Sequence, residues 1–435
     1  MVGNPSQSRA ARGLRHTLAA GLCMLGGMAA AAHAQSSLSV QAQVGQKLFF
    51  DTNLSASKRL SCASCHDPNN HYAQSTTNTR AVQLGGPNLT TPGFRAVPTL
   101  TYKEFIPPYN DNADNPDGVS VNAPGGGFTW DGRADTLAQQ VSIPLLSSFE
   151  MANSNQAAVV AVVQSASYAT LFQQAYGANV FANPGTAFTA VGLALQQYQL
   201  EDPSFHPFTS KYDYAESLEL SNGQPVALTT AENRGYDVYN FTGNCFACHY
   251  NGPMTGGGGA MFTDFTYQAL GVPRNPAIPA NVTRIGLPSY YDLGLCTAVN
   301  PNPMNFYVTP HVLPYSVSLC GMFKVPTLRN TATRKVFFHN GVFNTLAQVI
   351  SFYNTRDTNP AAWYPTAGGG VLQKYNDLPT AYHANVDIAD VPFGLSPGTS
   401  PFMSAQDMAD LECFLKTLTD GYVAGVTLQD PNCVN

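Results

Sequence analysis

The chain has 435 residues, enough for two domains of ordinary size, with 21 basic and 27 acidic residues and only 11% charged positions. The acidic balance argues against nucleic acid as a partner. A charge content well under the roughly 25% of an average soluble domain points to long ordered loops over a modest helical scaffold.

The chain opens with Arg9, Arg12 and Arg15, an apolar run from Leu18 to Ala32 and the small-residue pattern Ala32-His33-Ala34. This is the layout of a cleavable export signal over residues 1–34, cut near Ala34. The run is short for a membrane span and no other segment approaches one, so no membrane anchor is expected after cleavage. Loss of the three arginines leaves 18 basic against 27 acidic residues, a net charge of −9. The expected compartment is the periplasm, and Cys23 leaves with the signal.

A short helical pattern in "VGQKLFFDTNLSASKRLSCASCHDP" leads into Cys62-Ala-Ser-Cys65-His66. The same layout returns in "AENRGYDVYNFTGNCFACHYNGP", with Cys245-Phe-Ala-Cys248-His249. A zinc site would need adjacent Cys65 and His66 on one tetrahedral metal, and neither copy has a second ligand pair at finger spacing. A thioredoxin-like dithiol would need a βαβ context that neither flank supplies. Covalent haem explains the spacing: two thioethers form on the vinyl groups, and the next residue's imidazole becomes the proximal iron ligand. The chain is therefore expected to carry two covalently bound haem c groups, on Cys62 and Cys65 with His66, and on Cys245 and Cys248 with His249.

Between the motifs, "TLAQQVSIPLLSSFEMAN" reads as a short helix capped by Asp135 or Thr136 and terminated by Pro144. Leu137, Gln140, Val141 and Pro144 share its inner face. Gln140 then points inward, where a buried amide needs partners. Glu150 follows in the apolar "LLSSFEM", where a carboxyl would have a raised pKa and could carry a proton; an exposed loop-edge glutamate is the other reading. "NQAAVVAVVQSASYATLFQQAYG" and "TAFTAVGLALQQYQL" have helical periodicity. The boundary between an N-terminal domain, 35–210, and a C-terminal domain, 211–435, falls in the polar, Pro-containing "EDPSFHPFTSKYDYAES". The Gly-rich pieces at 125–127, 256–259 and 368–370 read as loops, since none follows a strand and opens a helix as a phosphate cradle must. In "TLAQVISFYN", Leu346, Val349, Ile350 and Tyr353 share a helical face, so Tyr353 looks into the core as a packing residue or as a ligand. Cys296 with Cys320, and Cys413 with Cys433, are the nearest pairings among the remaining cysteines and read as structural disulfides. The fold class is mostly α, two domains with long ordered loops, each wrapped around one haem.

Taken with "FTWDGRADTLAQQ", "FTDFTYQALGVPRNP", "FKVPTLRN" and "FFHNG", these motifs resemble the bacterial di-haem cytochrome c peroxidases and the MauG-type enzymes, in the family's order over nearly the whole mature chain. The resemblance implies two cytochrome-c-like haem domains, forming a peroxidase whose first haem reacts with hydrogen peroxide and whose second transfers electrons. It implies that Trp130 lies between the haems, that Gln140 and Glu150 are the distal-pocket pair with Glu150 as acid–base, and that Pro144 is a pocket-wall proline. Tyr353 falls where peroxidases carry a methionine ligand to the second haem and MauG-type enzymes a tyrosine. A His249/Tyr353 haem implies a high-valent, bis-Fe(IV) state shared by both irons and used on a partner protein. The alternatives are peroxide reduction with electrons from a small periplasmic redox protein, or a non-enzymatic electron carrier.

Three departures from the family pattern bear on these expectations. The loop "QLGGPNLTTPGFRAVPT" has no histidine to block the first haem. Ala96 takes the place of an asparagine that helps hold the family's interdomain calcium, which puts calcium in doubt. Gly243 stands where the MauG type carries a surface tryptophan. "KEFIPPYNDNADNPDGVSVNAPGGG" reads as an insertion before Trp130 that shields the first haem or docks a partner.

Overall fold

The computed structural model describes residues 38–116, 122–222, 227–252, 259–282, 290–296 and 317–435; the expected export signal, Cys23 and most of the Gly-rich piece at 256–259 lie outside them. Eleven α-helices run among the described residues: α1 Val40–Phe50, α2 Cys62–Cys65, α3 Leu137–Gln140, α4 Ser142–Leu146, α5 Gln156–Ser165, α6 Ala169–Tyr176, α7 Pro184–Glu201, α8 Lys211–Asn222, α9 Thr230–Asp237, α10 Leu346–Thr355 and α11 Ala405–Lys416. Three two-stranded antiparallel ribbons complete the regular structure: β1 Leu84–Gly85 with β2 Thr91–Pro92, β3 Asn110–Ala113 with β4 Ala123–Gly125, and β5 Tyr267–Gln268 with β6 Phe323–Lys324. The mostly helical, loop-rich class read from composition holds.

Each motif is preceded by a helix that crosses a later helix through a glycine. In the first half Gly45 of α1 meets α7 so closely that a Cβ would lie 1.9 Å from the Ala194 carbonyl and 2.7 Å from Tyr198 Cβ. In the second half Gly235 of α9 meets α11 in the same way, 1.9 Å from the Asp410 carbonyl and 2.8 Å from Phe414 Cβ. Only a residue without a side chain permits either crossing. One hydrophobic core forms around α1 and α7, with Leu48, Phe49, Val191, Leu195 and Tyr198. Another forms around α9 to α11, with Tyr239, Ile350, Phe352 and Phe414. Burying a large apolar side chain of this kind contributes roughly 1.5–3 kcal/mol.

Two expectations about local structure need correction. The apolar stretch from Gln156 is not one helix, because α5 ends at Ser165 and α6 begins at Ala169. Pro144 does not end a helix. The chain breaks at Val141, and Pro144 sits in the first turn of α4, where its missing N–H costs nothing because that donor would have no intrahelical partner. Thr136 rather than Asp135 caps α3, its hydroxyl accepting from the Gln139 N–H while the Gln139 side chain returns to the cap. The expected insertion forms the β3–β4 ribbon, which a bridge from Gly125 to Thr266 ties to the second half. Disulfides join Cys296 to Cys320 and Cys413 to Cys433.

Candidate functional site, two cavities sharing one wall

Both CxxCH segments wind one tight turn that brings the histidine back over the first cysteine. The His66 N–H donates to the Cys62 carbonyl at 2.9 Å, and the His249 N–H to the Cys245 carbonyl at 2.8 Å. In α2 the Ser64 hydroxyl accepts from the Ser61 N–H at 3.0 Å and fixes the start of the turn. The Tyr239 hydroxyl donates to the His249 carbonyl and anchors the second turn from α9's extension. Each imidazole is oriented through Nδ1, which lies 3.1 Å from the Tyr72 carbonyl for His66 and 3.1 Å from the Phe262 and Pro326 carbonyls for His249. A carbonyl can only accept, so Nδ1 carries the proton and Nε2 keeps its lone pair for a metal. Burial pushes both imidazoles down to about 4, so they are neutral donors at physiological pH.

The four cysteines of the two motifs are free. Burial pushes Cys62, Cys65 and Cys245 up to about 12, and Cys248 upward as well. A reactive redox dithiol needs surroundings that depress a thiol's pKa, and these raise it. No cluster of three or more His, Cys, Asp or Glu side chains among the described residues could hold a metal ion. The donor set fits haem: two thioether-forming sulfurs and one neutral imidazole on the wall of a large apolar cavity, twice over.

The first cavity is lined by Cys62, Cys65, His66, Trp130, Gln140, Pro144 and Glu150, so the structure brings together every residue expected there. Among the described residues His66 is the single histidine that lines it, and the loop around Phe94 and Arg95 supplies none. Glu150 is held in a turn by its N–H donating to the Ser147 carbonyl at 3.0 Å, and its own carbonyl accepts from the Gly86 N–H at 2.9 Å. Burial raises its carboxyl pKa, while the Ser147 hydroxyl and the Arg133 charge pull the other way. A carboxyl so placed keeps its proton to higher pH than a solvent-exposed one, which suits it to acid–base transfer.

The second cavity is lined by Cys245, Cys248, His249 and Tyr353. Tyr353 lies on α10, whose cap Thr345 accepts from the Gln348 N–H at 3.2 Å. Its ring packs on Phe393 at 5.6 Å and Phe338 at 6.0 Å, and its hydroxyl has no hydrogen-bond partner among the described residues. Burial raises the phenol's pKa. His339, the other histidine of this wall, is stacked on Phe323 at 3.5 Å with Nε2 3.4 Å from Asp377. Gly243 lines the same cavity.

The two cavities share part of their wall. Pro98, Lys103, Trp130, Lys324 and Pro326 line both. Trp130 is fixed there by its indole N–H, which donates to the Ala96 carbonyl at 3.0 Å, and by its carbonyl, which accepts from the Lys324 N–H at 2.9 Å. Its neighbours anchor the wall. Asp131, wholly buried, pairs with Arg133 and with Arg95 at 3.0 Å, and Arg95 forks onto Asp292 at 2.6 and 2.8 Å. The two guanidinium groups hold the Asp131 carboxyl well below the usual range. Thr129, with φ of 70°, is a β-branched residue in the left-handed region, a strained conformation beside the wall. Sequence reasoning missed Lys103, Lys324 and Thr129; the signal for Lys324 was a lone lysine flanked by Phe323, Val325 and Pro326.

Among the described residues no helix is long and apolar enough to cross a membrane. The sequence model of the family described as di-haem cytochrome c peroxidase matches residues 39–219. The methylamine utilization protein MauG of Paracoccus denitrificans is 32% identical over 392 residues, covering 87% of this chain and 88% of that protein. Cytochrome c551 peroxidase of Nitrosomonas europaea is 28% identical, covering 71% of each. The crystal structure of the dihaem peroxidase BthA from Burkholderia thailandensis superposes with a TM-score of 0.74 at 33% identity, over 90% of this chain and 89% of that one.

Proposed function

The chain belongs to the di-haem cytochrome c peroxidase and MauG family, oxidoreductases that act on peroxide and carry two covalently bound haem c groups, and from that premise we propose that it is an exported, MauG-like enzyme that takes oxidising equivalents from hydrogen peroxide and delivers them to a partner protein. The first cavity, which we assign to a domain spanning 35–210, receives peroxide. The second, assigned to 211–435, receives and stores an oxidising equivalent. The bound haems supply the two-electron chemistry, and the side chains around them bind, orient and move protons.

His66 would hold the first haem's iron through Nε2, and no other histidine among the described residues lines that cavity, which leaves room for a small molecule. Glu150 accepts the proton of one peroxide oxygen and returns it to the other, the acid–base step that favours cleavage between them. Gln140 orients the peroxide by hydrogen bonding, and Pro144 shapes the wall. Trp130, shared by both cavities, relays single electrons. The net reaction turns hydrogen peroxide, two electrons and two protons into two waters, and the electrons come from the partner one at a time.

The observation that carries the MauG-like reading is Tyr353: a half-buried phenol that lines the second cavity and whose hydroxyl has no hydrogen-bond partner among the described residues. Phenolate is a hard donor that favours oxidised iron, so a His249/Tyr353 site is built to hold oxidising equivalents. The test is to add peroxide to the diferric protein. A near-infrared charge-resonance band should appear in wild type and be missing in Tyr353→Phe, together with a changed absorption spectrum of the six-coordinate haem. If Tyr353→Phe alters neither, the reading fails. A second reading, reduction of peroxide to water with electrons from a small redox protein, is favoured by Gly243. That position offers no aromatic stepping stone beside the second site.

A further inference from the structure

The shared wall holds a cation that nothing in the peroxide reaction uses. Lys324 is 8% exposed, sits on β6 between Phe323 and Val325, and lines both cavities. Its ammonium donates to the Gly127 carbonyl and lies 5.9 Å from the Phe128 ring centre. No carboxylate among the described residues pairs with it. Asp131, the acid whose field reaches it, is already engaged by Arg95 and Arg133. Lys103, also on the shared wall, has no acid partner among the described residues either and adds repulsion.

Burial, with Lys103 adding to it, pushes the Lys324 amine well below the usual lysine range, so a standing ammonium there requires an anion. The described residues supply none here, so the anion is expected to arrive with the cofactors, and haem carries propionate carboxylates. The same wall is unsuited to a divalent metal. Ala96 offers a methyl group, its carbonyl is taken by the Trp130 indole, and no metal-holding cluster exists among the described residues. A calcium ion added near the ammonium would be repelled by it.

We infer that Lys324 is the fixed internal cation of the wall between the two haem sites, a positioning residue that supplies through its ammonium the positive charge a divalent metal would otherwise supply there. It raises the reduction potential of both haems, because a nearby positive charge favours the electron-rich state of each. The inference requires two haems but does not depend on whether the oxidising equivalents go to a protein or to water.

The test uses the full holoprotein. Wild type purified from calcium-containing medium should hold no stoichiometric calcium by elemental analysis, and a chelator should leave both haem potentials in place. Lys324→Gln, which keeps a hydrogen-bond donor and removes the charge, should weaken both reduction equilibria on the order of tenfold, the effect of one charge at an effective dielectric near 20. Lys324→Arg should stay near wild type. Stoichiometric bound calcium, a chelator-induced shift, or a Gln variant with unchanged potentials would each overturn the inference. If neither variant folds, the calcium and chelator measurements on wild type decide it alone.

Discussion

In the first cavity a neutral imidazole held through its Nδ1 faces a space bordered by an amide, a proline and a carboxyl whose pKa is raised. In the second, an imidazole held in the same way shares its cavity with the Tyr353 phenol. The proximal halves are near copies: the same tight turn from cysteine to histidine, backbone carbonyls on Nδ1 and the same drop to about 4. Whatever makes the two irons behave differently must therefore come from the remaining walls, Glu150 and Gln140 on one side and Tyr353 on the other.

The largest way to break that contrast is Glu150→Gln. It should slow the reaction with peroxide by about 10²–10⁴-fold, the usual worth of a positioned acid–base group, measured by stopped-flow absorbance, while the second haem's spectrum stays unchanged. The sign of the stability effect is also set. Burial raises the Glu150 pKa, so its stabilising contribution is full below the ordinary carboxylate value and lost as pH rises through the folded pKa. At neutral pH and above the Gln variant should be at least as resistant to denaturant as wild type. A marked loss of stability there would show that Glu150 is a structural anchor.

Next in size is Asp131→Asn, which acts on the wall both cavities share. It leaves Arg95 and Arg133 without their common counter-charge and should cost about 3–5 kcal/mol in a denaturant titration. The native ion set holds Asp131 below its usual range. In wild type that contribution is present above the unfolded carboxylate pKa and lost only as pH falls through the depressed folded value, so acid should narrow the gap between the two proteins. The smallest effect is Gln140→Ala. Loss of one orienting hydrogen bond should slow the peroxide reaction roughly tenfold, the equivalent of about 1.4 kcal/mol, and leave the Tyr353 site untouched.

Legibility in the sequence tracked the range of each interaction. The CxxCH turns are local, so their sulfurs and imidazoles could be read directly. Gln140 was placed inward by helical spacing, even though the helix proved to be two, because the break at Val141 keeps the inner residues on one side. Pro144 misled for the opposite reason: its effect depends on whether a first turn or a last turn receives it, and that is decided by the break. Trp130's position between the cavities came from likeness to a family and not from spacing. Lys324 was invisible as a functional residue, since a lysine is ordinarily exposed and its burial is imposed by segments far away in sequence, Gly127 and Trp130 on one side and Tyr267 across the ribbon on the other.

If two unequal haem sites act as one oxidising unit through the wall they share, their irons must respond to peroxide together. The direct measurement is low-temperature electron paramagnetic resonance of the diferric protein after one equivalent of hydrogen peroxide. Both ferric signals are expected to disappear together and return together in wild type, whereas Tyr353→Phe loses only the first site's signal. Wild type that loses the first signal while the second persists at full intensity would contradict the coupling.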